Sequence, residues 1–221
     1  MSASRRLTGL LGGSFNPAHR GHRRISLFAM AALGLDEVWW LVSPGNPLKS
    51  DAEMAPLAAR VRRAQALAWG APIKVTAIEQ RLGTRYTIDT VRALKRRYPR
   101  RRFVWLMGAD NLAQFDRWKD WRAIARELPI AVIARPGYDA AALASPAMAW
   151  LRRFRASPAS LRNRGEWSAP ALIELRFDPD PRSATEIRRT DPLWARRLEG
   201  APPRDHLTHC LIDDRTGKER A

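Results

Sequence analysis

The sequence predicts an α/β fold, a doubly wound parallel sheet with helices on both faces. Three observations lead there. Short apolar runs that suit strands alternate with helix-period segments almost throughout the chain. The clearest of these runs, Glu37 to Ser43, is near-continuous in Val, Trp and Leu, as a strand covered on both faces should be. Residues suited to chemistry fall just after strands, where such sheets take ligands. The 221 residues allow a full core. A single domain over residues 1–200 is expected, with residues 201–221 as an atypical tail.

The first strand opens the stretch Leu7 to His22, Leu-Thr-Gly-Leu-Leu-Gly-Gly-Ser-Phe-Asn-Pro-Ala-His-Arg-Gly-His. Gly12 and Gly13 stop side-chain packing and let the backbone come close to a partner. Asn16-Pro17 is turn chemistry. His19 and His22 follow, and Ile25, Phe28, Ala29, Ala32 and Leu33 recur at helical spacing. The stretch therefore reads as strand, glycine turn and helix N-terminus, where unpartnered N–H groups and the macrodipole favour a phosphate. If the helix has begun by His19, both imidazoles share one face, their Cβ atoms about 5–6 Å apart. Two solvated surface histidines satisfy the same spacing. A zinc site would lack a Cys, Asp or Glu in this segment.

Glu37 to Ser43 is the second strand, and Ser43-Pro-Gly-Asn-Pro-Leu-Lys49 is a loop. Lys49 at the strand's carboxyl edge can reach a phosphate or stand in solvent. Pro56 to Trp69 is a helix with proline at its start, and Ile73 to Ile78 is a strand. Thr87 and Asp89, in Gly83-Thr-Arg-Tyr-Thr-Ile-Asp-Thr90, suit a helix start. That helix runs through Val91, Leu94 and Tyr98 to Pro99. Arg102 to Gly108 is the fourth strand. It turns into Ala109-Asp110-Asn111-Leu112, where the Asp110 carboxylate can cap a helix or accept from the hydroxyls of a ribose. Trp121 is expected in the core, three residues beyond Trp118.

Pro129 to Ala134 is the fifth strand, and Arg135 leaves it at the carboxyl edge. Residues 139–168 are rich in Ala, Ser and Arg and weakly patterned, with a helix expected near Ala140 to Phe154. Ala171 to Phe177 is the sixth strand. In Arg182-Ser-Ala-Thr-Glu-Ile-Arg188, Ser183 and Thr185 can cap the next helix or donate to phosphate. Arg188 can fork onto phosphate oxygens, and a capping box alone would explain Ser183 with Glu186. The tail from Ala201 is polar and poorly periodic, and Arg215 to Ala221 are expected to be mobile.

The formal charge of +17 invites a nucleic-acid reading. The arginines are scattered along the whole chain, however, and a basic field equally suits an enzyme acting on phosphates. No physiological nucleic acid is expected. No apolar run is long enough for a membrane span. Met-Ser-Ala-Ser-Arg-Arg leads into the first strand with no signal-peptide pattern. The single Cys210 excludes an intramolecular disulfide and suits a reducing cytoplasm, the expected location.

Gly-Gly-Ser-Phe-Asn-Pro-Ala-His-Arg-Gly-His closely resembles the G-G-[ST]-F-[DN]-P-x-H-x-G-H signature of bacterial nicotinate mononucleotide adenylyltransferases, within the nucleotidyltransferase superfamily. The loop Ser43 to Lys49 resembles the family's P-x-x-x-P-x-x-K stretch after this strand, and Tyr86 to Thr90 its Y-T-[IV]-D-T. Gly108-Ala-Asp110 resembles its G-A-D, and Arg135 to Tyr138 its A-R-P-G-[YF] segment. Ser183 to Arg188 is similar to the second nucleotidyl motif, S-[ST]-T-x-[IL]-R, with Ala184 in place of a hydroxyl residue. The resemblance covers residues 7–189 in order, with a gap across 139–170, and is weak in the tail.

The resemblance implies a Rossmann-like sheet of nucleotidyltransferase type that joins ATP to nicotinate mononucleotide, giving deamido-NAD and pyrophosphate. It implies that His19, His22 and Arg188 are catalytic. Gly12, Gly13, Ser14, Phe15, Lys49, Gly108, Asp110, Ser183 and Thr185 would bind ATP. Thr87, Trp118 and Arg135 would bind the mononucleotide, with Trp118 against the pyridine ring. Mg²⁺ would be held mainly through phosphate oxygens and water, and a homo-oligomer is possible. Lys119 lies where the family often has an aromatic residue, so no role carries over. The rival readings are another acceptor, such as nicotinamide mononucleotide or phosphopantetheine, and a nucleic-acid-binding protein with a nucleotide fold.

Overall fold

The computed structural model describes residues 5–45, 54–134, 139–163, 168–177 and 184–213. Lys49, Arg135 and Ser183 lie outside the described residues. The six expected strands are all present: β1 (Arg6–Gly13), β2 (Glu37–Val42), β3 (Ile73–Thr76), β4 (Arg101–Gly108), β5 (Ile130–Ala134) and β6 (Leu172–Arg176). They form one six-stranded sheet in the order β3-β2-β1-β4-β5-β6. Leu10 stands opposite Trp105, Trp105 opposite Ile130, and Ile130 opposite Leu172, all in parallel register. Strand order reverses between β1 and β4, the mark of a doubly wound sheet.

The helices are α1 (Arg20–Leu33), α2 (Leu57–Ala68), α3 (Ile78–Leu82), α4 (Thr87–Arg97), α5 (Ala109–Leu112), α6 (Trp121–Glu127), α7 (Asp139–Leu143), α8 (Pro146–Leu151), α9 (Pro158–Arg162) and α10 (Ala184–Thr190). Three differ from expectation. The third strand stops at Thr76, and Ile78, expected in it, opens α3. The single helix expected over Ala140 to Phe154 is α7, then α8, then a 3₁₀ turn at Arg152–Phe154. The break is local chemistry: the Ser145 hydroxyl accepts from the Met148 N–H at 3.1 Å, and Pro146 follows as first helical residue. The weakly patterned stretch beyond it contains α9.

By Cα packing the chain divides into two compact units. One comprises Met1–Leu11, Ile25–Val38 and Tyr86–Pro179. Its core includes Leu7, Leu10, Leu33, Val104, Ile130, Ala131 and Ile173, all fully buried. Gly9 is required there by packing, since a Cβ would lie 2.9 Å from both Leu35 and Leu106 side chains. At the end of α1, Gly34 takes φ +65°. The Arg162 guanidinium, from α9, donates to the carbonyls of Ala31 and Ala32 at 2.9 and 2.8 Å. Part of the weakly patterned stretch thus closes the first helix.

The other unit comprises Gly12–Arg24, Trp39–Arg85 and Asp180–Ala221. Trp39 and Trp40 are both fully buried, although neighbours on a strand point to opposite faces. The described part of the tail packs within this unit. The Asp205 carboxylate accepts from the Thr76 hydroxyl, the Ala77 N–H and the N–H groups of Leu207 and Thr208. His206 Nδ1 accepts from the Val75 N–H at 3.1 Å. Burial, and then the Lys74 charge, hold the His206 pKa below its ordinary value, against the opposing pull of Asp205.

Candidate active site

In the second unit the glycine turn is built from both ends. The Ser43 N–H donates to the Gly13 carbonyl at 3.0 Å. Arg60, on α2 and 1% exposed, donates to the carbonyls of Ala55, Ser14, Ser43 and Pro44 through four of its N–H groups. One guanidinium therefore holds the residue after the two glycines together with the loop after β2. Gly13 itself is exposed, and a Cβ there would meet only the Phe15 ring at 3.6 Å. Protein packing does not demand the glycine, and its backbone stands exposed.

Phe15 turns the chain with φ +47°, a costly conformation for a bulky residue. Its ring is buried, stacked on Trp40 at 5.2 Å and 4.8 Å from the His22 ring. Phe15 thus forms the floor beneath His22. The helix begins at Arg20, one residue beyond His19, yet the two imidazoles are brought together with centroids 3.9 Å apart. His22 Nδ1 accepts from the His19 backbone N–H at 3.1 Å. In neutral His22 the proton must then sit on Nε2, which makes that nitrogen the donor.

The last motif reaches the same turn. Arg188 on α10 donates through one nitrogen to the Asn16 carbonyl at 2.6 Å, and through another to the Thr185 hydroxyl at 3.4 Å. The Asn16 side chain accepts from the Ala55 N–H. Gly12, Gly13, Ser14, Phe15, His19, His22, Thr185 and Arg188 thus belong to one unit, with the His22 ring against Phe15 and Arg188 bonded to Asn16. A cavity of about 340 Å³ opens against His19, lined by Arg20, Arg63, Ala66, Leu67 and Ile187. Nε of Arg63 is buried without a hydrogen-bond partner. The chemistry gathered here is imidazole and guanidinium donors around an open glycine backbone, suited to a polyphosphate.

The remaining described candidates belong to the first unit. Gly108 ends β4, and the exposed Asp110 lies in the first turn of α5 with its carboxylate folded over Gly108, so that a Cβ there would sit 2.4 Å from Oδ1. The N-cap of α5 is Gly108, so Asp110 is not the cap residue. Thr87 opens α4 and Asp89 lies in its first turn, while Tyr86 is the N-cap residue. Neither therefore caps the helix. Trp118 is half-buried, edge-on to Trp105 at 6.0 Å and to Phe115 at 5.3 Å. Trp121 is not a core residue: it is half-buried between Phe115 and Trp150. The Lys119 ammonium lies 4.5 Å over the Tyr86 ring and 3.9 Å from Asp89, which neutralises part of its charge.

Arg60 and Arg63 escaped the sequence reading. The signal for Arg60 was its place on the apolar stripe with Leu57, Val61, Ala64 and Ala68. An arginine in a core register is a buried cation that needs acceptors. Arg63 carried no comparable signal.

Residues 10–190 match the cytidylyltransferase-like family. A protein of Erythrobacter litoralis named "Probable nicotinate-nucleotide adenylyltransferase" is 69% identical over 212 residues, 96% of each chain. A Bradyrhizobium protein of the same name is 48% identical over 186 residues, covering 84% of this chain and 97% of the relative. Among solved structures, the Plasmodium falciparum nicotinic acid mononucleotide adenylyltransferase complexed with NaAD shares the fold, with a TM-score of 0.58 over 83% of each chain at 15% identity.

Proposed function

The chain belongs to the nicotinate-nucleotide adenylyltransferases of the cytidylyltransferase-like family, and from this we infer that it joins ATP and nicotinate mononucleotide into deamido-NAD and pyrophosphate, a step of NAD biosynthesis. The observation that carries the site assignment is that the His22 ring packs on Phe15 and Arg188 bonds the carbonyl of the next residue, Asn16, each with nitrogen donors suited to phosphate.

The reaction is a direct displacement. An oxygen of the mononucleotide phosphate forms a bond to the α-phosphorus of ATP, and the bond to the bridging oxygen of pyrophosphate breaks in line. The attacking oxygen is already ionised, so the protein supplies position and charge rather than a nucleophile or base. His19, His22 and Arg188 hold the triphosphate, with Lys49, Ser183 and Thr185 as further donors. Gly12, Gly13, Ser14, Phe15, Gly108 and Asp110 are the further ATP-binding residues, the Asp110 carboxylate suited to accept from ribose hydroxyls. Thr87, Trp118 and Arg135 take the mononucleotide. Mg²⁺ supplies charge neutralisation on phosphate when bound. Such an ion would be held mainly by phosphate oxygens and water. We place the reaction in the cytoplasm; among the described residues no helix is long and apolar enough to cross a membrane.

Pyrophosphate release with ATP, Mg²⁺ and each mononucleotide in turn tests this reading. The acid should exceed the amide in kcat/KM by at least about tenfold, the factor supplied by 1.4 kcal/mol. With Lys119 shared between Tyr86 and Asp89, the preference should rest on inward N–H groups that suit a carboxylate and clash with an amide nitrogen. Parity or an amide preference would refute the acid-specific assignment. Trp118→Ala separates the two substrates: the mononucleotide KM should rise several-fold more than the ATP KM. Equal rises, or loss of folded protein, would make Trp118 merely a packing partner of Trp105 and Phe115.

A further inference from the structure

A second cavity, of about 640 Å³, is lined by Arg126, Trp150, Arg153, Phe154, Ala169 and Pro170, all in the first unit. Its walls are the last turn of α6, the end of α8, the 3₁₀ turn beyond it and the segment entering β6. Helix α6 leads into β5, and Arg155 bridges to Leu172, the first residue of β6. The cavity therefore lies at the amino ends of β5 and β6. Gly108 and Asp110 follow a carboxyl end, and a five-residue strand separates the two edges by roughly 15 Å. Most of its lining comes from the stretch 139–170, which the adenylyltransferase motifs do not cover.

The chemistry of the lining is specific. The Arg126 and Arg153 guanidiniums lie 5.6 and 5.5 Å from the centroid of the half-buried Trp150 ring, and Arg153 is 5.5 Å from Phe154 as well. Trp121 meets Trp150 edge-on at 5.4 Å, and Phe154 is tilted on it at 4.9 Å. Arg153 Nε donates to the Trp150 carbonyl at 3.2 Å, which orients its fork. Among the described residues no carboxylate lies within ion-pair distance of Arg126 or Arg153. Glu127, the neighbour of Arg126, is engaged by Arg92 and Lys95.

Two exposed guanidiniums over an aromatic ring, with no carboxylate in ion-pair distance among the described residues, match a flat ring that carries phosphate. The ring stacks and the phosphate takes the forks. The volume lies within the range of small-molecule sites, about 300–1,000 Å³. Trp121 packs edge-on and Phe154 tilted against Trp150, whereas a nucleic-acid strand needs successive open stacking faces. We propose that this cavity is a second nucleotide site, distinct from the candidate active site, that takes a free purine nucleoside phosphate.

Photolabelling with 8-azido-AMP, followed by peptide mapping of the full chain, tests it. Label is expected on the peptide spanning Ala147 to Phe154. It should be displaced by excess AMP and reduced at least tenfold in an Arg126→Glu/Arg153→Glu double variant. Both residues are exposed and outside the proposed catalytic machinery, so pyrophosphate release by the double variant should stay within twofold of the parent. No label on this peptide, label unchanged in the double variant, or displacement by a single-stranded oligonucleotide but not by AMP would each overturn the proposal. Failure of the catalytic reading would appear instead as absent pyrophosphate release, whatever the label.

Discussion

His22→Ala is expected to lower turnover about 10²–10³-fold, the scale for losing one donor aimed at developing charge. The structure gives this a definite atom. Nδ1 is committed to the His19 backbone N–H, so Nε2 is left as the hydrogen donor in neutral His22, and the ring is held from below by Phe15 and from the side by Trp40. Alanine removes the donor and leaves a space over Phe15, so the variant must be checked for folding by circular dichroism before its rate is read. A steady-state pyrophosphate assay at saturating ATP and mononucleotide then measures kcat. A folded variant with normal turnover would remove His22 from the phosphate site. The loss should fall on kcat rather than on either KM, because the donor works hardest where charge moves onto the leaving pyrophosphate.

The parts of this molecule that sequence made readable are those where side-chain type alone decides. Buried parallel strands need apolar runs, and β2, with two fully buried tryptophans in succession, is the clearest case. The histidine pair was readable as a shared face, but not as an imidazole accepting from its neighbour's backbone, which depends on the local geometry where the helix starts. α3 was hidden because Glu-Gln-Arg-Leu is short and polar and carries no period. The helix over 140–154 was read as one because Ala, Met and Trp keep an apolar count across Ser145-Pro146, where capping chemistry ends one helix and starts another. Trp121 read as core by its size, yet its ring lies between two others and stays partly exposed. The tail is polar for a reason that no periodicity reveals: Asp205 spends its carboxylate on backbone and hydroxyl donors of the β3–α3 junction.

Arg60→Met should cost the fold about 3–5 kcal/mol, a large share of the usual 5–15 kcal/mol of a domain. Methionine keeps much of the aliphatic stem and fills part of the space, so the loss reports the guanidinium. Four carbonyls, those of Ala55, Ser14, Ser43 and Pro44, lose a charged donor at a site only 1% exposed, and water can replace it only by opening the turn. The individual bonds will not add, because one side chain serves all four and the loop can relax. Urea unfolding of both proteins gives the difference from the shift in midpoint at constant slope. Arg60→Lys should fall between them, since a point-like ammonium cannot span acceptors that a planar fork reaches. An Arg60→Met midpoint within error of the parent would show that the staple is dispensable. The same substitution should also raise the ATP KM, because Ser14 and the loop after β2 share this one anchor. Lysine should recover stability and ATP binding in parallel if the staple holds the turn that ATP uses, and should recover stability alone if it only fills the core.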